Sequence, residues 1–178
     1  ELGADAAADL RAGTLVLAAG TGIGTAGRLE IEASVITATS SDSGAIDLAN
    51  LASSSVVAIL LQVGSDGGAM ETGAITFAQT GGFALSVLAA STQNGSIQLS
   101  NTNANLSVEA VSAGRATGSG ASGVSLATTS SGNIYLGLVE APGDTVAISA
   151  AGSVEESTSD AAADVVAEAL TLGAGAGI

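Results

Sequence analysis

Short runs of alternating apolar and polar residues recur along the whole chain. Several open on a glycine: Gly44-Ala-Ile-Asp-Leu, Gly73-Ala-Ile-Thr-Phe, Gly95-Ser-Ile-Gln-Leu and Gly132-Asn-Ile-Tyr-Leu. Roughly ten residues on, a second alternating run follows, as at Leu85-Ser-Val-Leu-Ala, Leu106-Ser-Val-Glu-Ala and Val146-Ala-Ile-Ser-Ala. Leu15-Val-Leu, Leu29-Glu-Ile-Glu-Ala and Val124-Ser-Leu have the same form. A period of two marks a strand with one face buried and one face wet. Turn residues punctuate the runs at Ser41-Asp-Ser-Gly, Gln93-Asn-Gly and Pro142-Gly-Asp,. The units at Gly73 and Gly95 are 22 residues apart, and the others are spaced more widely, as insertions in turns would produce.

Short strands returning every 20-odd residues predict a coiled parallel sheet, in which inward Ile, Leu and Val form columns up an axis. No rung buries its apolar edge alone, so stability comes from stacking on neighbours. The alternative is a pair of immunoglobulin-like sandwiches. Against it stand the missing tryptophan, the single tyrosine and the frequent Gly-led short strands. One segment reads less clearly. Ser159–Leu170 is rich in Ala, Asp and Glu, and Ser157 or Ser159 would serve as a helix cap,. The β-branched pair Val165-Val166 opposes a helix, so a loop leading into a strand at Ala169–Leu172 is expected.

A longer repeat overlies the short one. Residues 4–23 and 159–178 align without gaps at an offset of 155, with 12 of 20 positions identical. The matches keep Asp5 with Asp160, Asp9 with Asp164, Leu15 with Leu170, Leu17 with Leu172 and Ile23 with Ile178. Residues 1–178 are therefore expected to be one continuous solenoid segment: a repeat of about 155 residues followed by the start of a second copy at 159–178.

Composition sharpens this picture. Hydrophobic residues make up 47% of the 178, but aromatic residues only 2%. The core must come from Val, Ile, Leu and Ala, which suits thin regular layers. There are 17 acidic residues, three arginines and no lysine, for a formal net charge of -14. Nucleic-acid binding needs a basic footprint, and anionic membrane surfaces need the same. No 18-residue apolar run is present, so no transmembrane helix or membrane insertion is expected. Cysteine is absent, which excludes a disulfide scaffold,. No signal peptide opens the chain, so an export signal is expected outside it.

The residues now carry a resemblance. Gly22-Ile-Gly-Thr-Ala-Gly27 with Leu29-Glu-Ile-Glu-Ala, Ser43-Gly-Ala-Ile-Asp-Leu-Ala-Asn50, Gly95-Ser-Ile-Gln-Leu-Ser-Asn101 with Leu106-Ser-Val-Glu-Ala110, and Gly152-Ser-Val-Glu-Glu through Leu172 are similar to the repeats of giant bacterial secreted adhesins of filamentous-haemagglutinin type. The resemblance covers most of the chain. It implies an all-β, right-handed parallel β-helix, elongated, within a tandem-repeat array, exported to the cell surface or beyond. Its matched positions are scaffold, so no functional residue carries over.

Candidate chemistry is sparse. The chain has no His, Cys or Lys, which removes the usual catalytic triads, Schiff-base chemistry and most transition-metal sites,. Glu30 and Glu32, at i and i+2 on one strand, are expected to face outward as a solvated acidic face rather than as a glycosidase pair. Glu155-Glu156 reads as a turn-like charge pair. Arg11, Arg28 and Arg115 are isolated in sequence. Ser65-Asp-Gly-Gly is the nearest approach to a calcium-binding turn, so at most a weak surface calcium site is expected. Gly20-Thr-Gly-Ile-Gly-Thr lacks the helix that a phosphate loop requires and reads as a turn between rungs. The expected function is structural: a segment of an extracellular fibre, sheath or stalk, with no enzymatic activity, no catalytic, cofactor-binding or metal residues, and no cofactor. The expected partners are neighbouring repeats of the same protein, through end-to-end or lateral self-association. The alternative is an adhesin module that contacts cell-surface glycans, with Tyr135 as its candidate stacking residue.

Overall fold

The computed structural model describes residues 7–64, 71–114, 122–158 and 161–178. Among these residues it contains strands and no helix. Twelve strands join one sheet in which every pairing is parallel: β1 (Leu10–Ala19), β2 (Leu29–Ser40), β3 (Ile46–Asn50), β4 (Val56–Val63), β5 (Ile75–Gln79), β6 (Leu85–Thr92), β7 (Ile97–Thr102), β8 (Leu106–Ala113), β9 (Val124–Thr129), β10 (Ile134–Ala150), β11 (Val154–Glu156) and β12 (Val165–Ala174). The sheet coils on itself as a β-solenoid. Each strand pairs with the equivalent stretch one turn away, and a long strand crosses from one face to the next: β10 pairs first with β8 and then with β9.

Following one inward column counts the turns. Ile23 bridges Ile46, and the column continues through Ile75, Ile97, Val124 and Val146 to Leu170. These seven residues mark about seven turns, and successive members lie 22 to 29 residues apart. At about 4.8 Å per rung the stack is about 30 Å long. A second column on the same face runs Leu29, Leu48, Phe77, Leu99, Leu126, Ile148, Leu172.

Two further faces complete each turn. One carries Val56, Leu85, Leu106, Ile134 and Val154 in register. The other carries Ala38, Leu61, Ala90, Val111, Val139 and Val165. Nearly all these inward side chains are fully buried, and Phe77 is the largest of them. Phe83 is exposed instead, in the turn between β5 and β6.

The leading glycines are explained by stacking at a corner. A Cβ on Gly95 would collide with the carbonyl oxygen of Gly73, one on Gly73 with that of Gly44, and one on Gly44 with that of Thr21. The chain turns tightly there, and successive rungs lie too close for a side chain. Gly44 also has φ +138°, a conformation that glycine tolerates,. Not every Gly-led strand belongs to the same face, however. The Gly132 strand joins the face of Leu85 and Leu106, whereas the Val146 run joins the face of Ile97. Corner crowding, not face identity, dictates where glycine is needed.

The Ala- and acid-rich segment enters strand earlier than expected, at Val165 rather than Ala169. Val165 and Val166 pair with Val139 and Glu140, so the β-branched pair extends the ladder. Glu155-Glu156 likewise lies within β11, opposite Tyr135 and Leu136, and not in a turn. Ser159 lies outside the described residues.

Candidate functional surfaces

A buried polar column runs beside the apolar ones. Asn50, Gln79 and Asn101 are fully buried and stack in register, and Thr128 continues the column. Their side chains supply hydrogen bonds where the backbone leaves the ladder at a corner. Asn50 Oδ1 accepts from Ala33 N at 3.0 Å, and Asn50 Nδ2 donates to Ala33 O at 2.9 Å. Gln79 Nε2 donates to Ala52 O at 3.0 Å, and Asn101 Nδ2 donates to Phe83 O and Asn105 O. Thr128 Oγ1 donates to Gly132 O at 2.7 Å and accepts from Ala151 N at 3.0 Å. The signal was present in sequence as a polar residue four positions after the first apolar residue of each unit: Ile46 to Asn50, Ile75 to Gln79, Ile97 to Asn101, Val124 to Thr128.

The outer surface is mostly small and polar. On one face the outward column reads Val57, Ser86, Ser107, Tyr135, Glu155. Ser86 and Ser107 floor two adjoining grooves. One, of about 480 Å³, is bounded by Glu109, Leu138 and Asp164, and the other, of about 260 Å³, by Val57, Asn105 and Tyr135. Asn133 Nδ2 donates to Tyr135 Oη at 3.3 Å and to Glu155 Oε1 at 3.1 Å, which fixes the phenol at the groove edge.

The expected acidic face is only half met. Glu32 is partly exposed and pairs with Arg11 at 3.2 Å. Glu30 is only 7% exposed, and its Oε2 has no hydrogen-bond partner. The chain entering β1 bonds to its backbone: Asp9 N donates to Glu30 O at 2.8 Å, and Glu30 N donates to Asp9 Oδ2 at 3.1 Å. Arg28, isolated in sequence, reaches Asp47 at 2.7 Å. The Gly20–Thr25 run forms the expected turn, with Ile23 inserted into the core. Arg115 and Asp66 of the Ser65-Asp-Gly-Gly turn lie outside the described residues. Among the described residues no group of three or more acidic, His or Cys side chains is placed to hold a metal ion.

The two end rungs differ from the rest. β1 pairs only with β2, and β12 only with β10. Their inward residues, Leu15, Leu17 and Ala19 at one end and Val165, Ala167, Leu172 and Ala174 at the other, are only partly buried. Leu170, at the end of the Ile23 column, is 49% exposed.

No protein-family model matches the chain, no curated protein matches its sequence, and no solved structure matches its fold. What is established is the class of fold: an all-parallel β-solenoid.

Proposed function

We propose that the chain is a structural segment of an extracellular fibre, sheath or stalk built from tandem β-solenoid repeats. The observation that carries this reading is the unbroken set of inward columns running through about seven rungs. Such a body supplies length and stiffness, and each added repeat extends it without a new core. The resemblance to giant secreted adhesins of filamentous-haemagglutinin type supports placement at a bacterial surface. The 155-residue repeat supports a tandem array, and the strong right-handed bias of parallel crossovers supports a right-handed coil. A chain with no lysine and three arginines also offers few trypsin sites, which suits an exposed protein. Cryo-electron microscopy of the natural assembly tests this reading. A continuous fibre with an axial periodicity near 4.8 Å is expected; compact particles without it would refute the structural role.

A second reading rests on the groove beside Tyr135. A phenol fixed at the edge of a serine-floored trough offers a stacking surface with hydroxyl and carboxylate partners, the chemistry of a neutral glycan site. Binding to a glycan array that Tyr135→Ala abolishes, with the fold intact, would favour adhesion.

A further inference from the structure

Asn-x-Ser, the acceptor pattern for N-linked sugars, occurs twice in the sequence, as Asn94-Gly-Ser96 and Asn105-Leu-Ser107,. The fold presents the two differently. We propose that Asn105 carries an N-linked glycan whose first sugar packs on Tyr135, and that Asn94 stays bare. This rests on the extracellular part of the reading above, because such acceptors are used on secreted chains.

Asn94 lies in the glycine corner before β7. It is partly buried, its carbonyl accepts from Gly73 N at 3.2 Å, and its Oδ1 accepts from Ser122 Oγ at 3.4 Å. Gly95 beside it stacks on the Gly73 carbonyl, where there is no room even for a methyl group. Asn105 is exposed instead, in the turn entering β8. Its Oδ1 accepts from Asn133 N at 2.9 Å. A backbone N–H only donates, so this bond fixes which end of the amide is oxygen. Nδ2 makes no hydrogen bond among the described residues. The atom that a sugar must reach is thus the uncommitted end of an exposed side chain.

The surroundings fit a sugar. Asn105 and Tyr135 lie on the outer side of neighbouring rungs, two residues apart in register, which sets their Cα atoms about 8 Å apart,. Both line the groove of about 260 Å³ that Ser86 and Ser107 floor. Asn133 organises both ends: its backbone N–H holds Asn105, and its Nδ2 donates to Tyr135 Oη at 3.3 Å. One sugar ring on Asn105 spans that interval and lays its C–H face on the phenol, with serine hydroxyls as hydrogen-bond partners. The site lies mid-stack, since β6, β8 and the first part of β10 are each paired on both edges by strands of this chain.

The attachment is a displacement at the anomeric carbon of a phosphate-activated sugar, nucleotide- or lipid-linked, carried out by a glycosyltransferase. The bond from Asn105 Nδ2 to that carbon forms, and the carbon–oxygen bond to phosphate breaks. The phosphate carrier leaves with the electron pair, and one amide proton passes to the transferase's base.

Peptide mass spectrometry of the protein from its natural source, with fragmentation that keeps side-chain modifications in place, tests the assignment. A glycan mass on Asn105 and none on Asn94 is expected. An unmodified Asn105, or sugar on Asn94, overturns it. Expressed in the natural host, Asn105→Gln and Ser107→Ala are each expected to lose the mass, and Ser107→Thr to keep it. Retention in Ser107→Ala would show that the pattern does not direct the attachment. Tyr135 is the only tyrosine and there is no tryptophan, so its fluorescence reports this groove alone. Acrylamide is expected to quench it less in the natural protein than in Asn105→Gln, and equal quenching overturns the packing on Tyr135. A bare Asn105 in a natural fibre with spacing of about 4.8 Å defeats this inference alone. A glycan at Asn105 on compact particles defeats the fibre reading alone.

Discussion

At the scale of single residues, the polar column separates two roles that burial alone would merge. Asn50 and Gln79 are both fully buried, but their hydrogen bonding differs. Asn50 uses both ends of its amide on Ala33, completing a ladder that β3 leaves at its last residue. Asn50→Leu therefore strands a buried N–H and a buried C=O, and is expected to cost about 3 kcal/mol. Gln79 donates one hydrogen bond, and its Oε1 is buried without a partner. Gln79→Met removes that unsatisfied acceptor at nearly constant volume, and is expected to change stability by less than about 1 kcal/mol. Urea denaturation of the two variants measures the difference. Equal losses would show that the column acts by packing alone. Neither role was read from the alternating pattern, because a period of two assigns inward positions to apolar residues and passes over an inward amide. Glu30 was misread for a related reason. Its parity was right, but the folded chain buries it, a tertiary effect that no local pattern encodes.

At the scale of the strand, the pattern was more informative. Gly44, Gly73 and Gly95 each open a strand of the same face, and the alternation that follows places Ile46, Ile75 and Ile97 in one column. The face of the Gly132 strand was not legible, since corner lengths vary from turn to turn and sequence spacing does not add up to position around the axis. The structure makes these columns quantitative. Ile97 lies mid-column and is fully buried, whereas Leu170 closes the same column half exposed. Ile97→Ala is expected to cost about 2–5 kcal/mol, the usual range for a large-to-small change in a packed core. Leu170→Ala is expected to cost less than about 1 kcal/mol in the dissociated chain, because it leaves a smaller cavity in a site open to water. Gly95→Ala adds a methyl against the Gly73 carbonyl and is expected to cost about 1–3 kcal/mol through overpacking,. Thermal or urea unfolding ranks the three, and a Leu170→Ala loss equal to that of Ile97→Ala would mean that the end rung is packed as tightly as the middle.

For the whole molecule, a stack in which each rung touches only its neighbours has stability graded along its axis. Central strands such as β5 to β8 are paired on both edges, while β1 and β12 are paired on one. Native-state hydrogen exchange at low concentration is therefore expected to show the greatest protection in β5 to β8, with β1 and β12 opening first. Charge modulates what happens next. A net charge of -14 on a body about 30 Å long repels its copies at low salt, where screening extends over tens of ångströms,. Raising salt to about 0.5 M shortens the screening length to about 4 Å, so that like-charged copies can approach one another. End-to-end association of copies of this segment would then raise protection at β1 and β12 together, with β5 to β8 unchanged. A rise spread over the outer Ser, Thr and acidic columns would instead mark lateral bundling, with the side faces and not the ends as the site of self-association. Because both end strands must gain protection in the same concentration range, the paired change distinguishes head-to-tail docking from capping of one end by an unrelated contact.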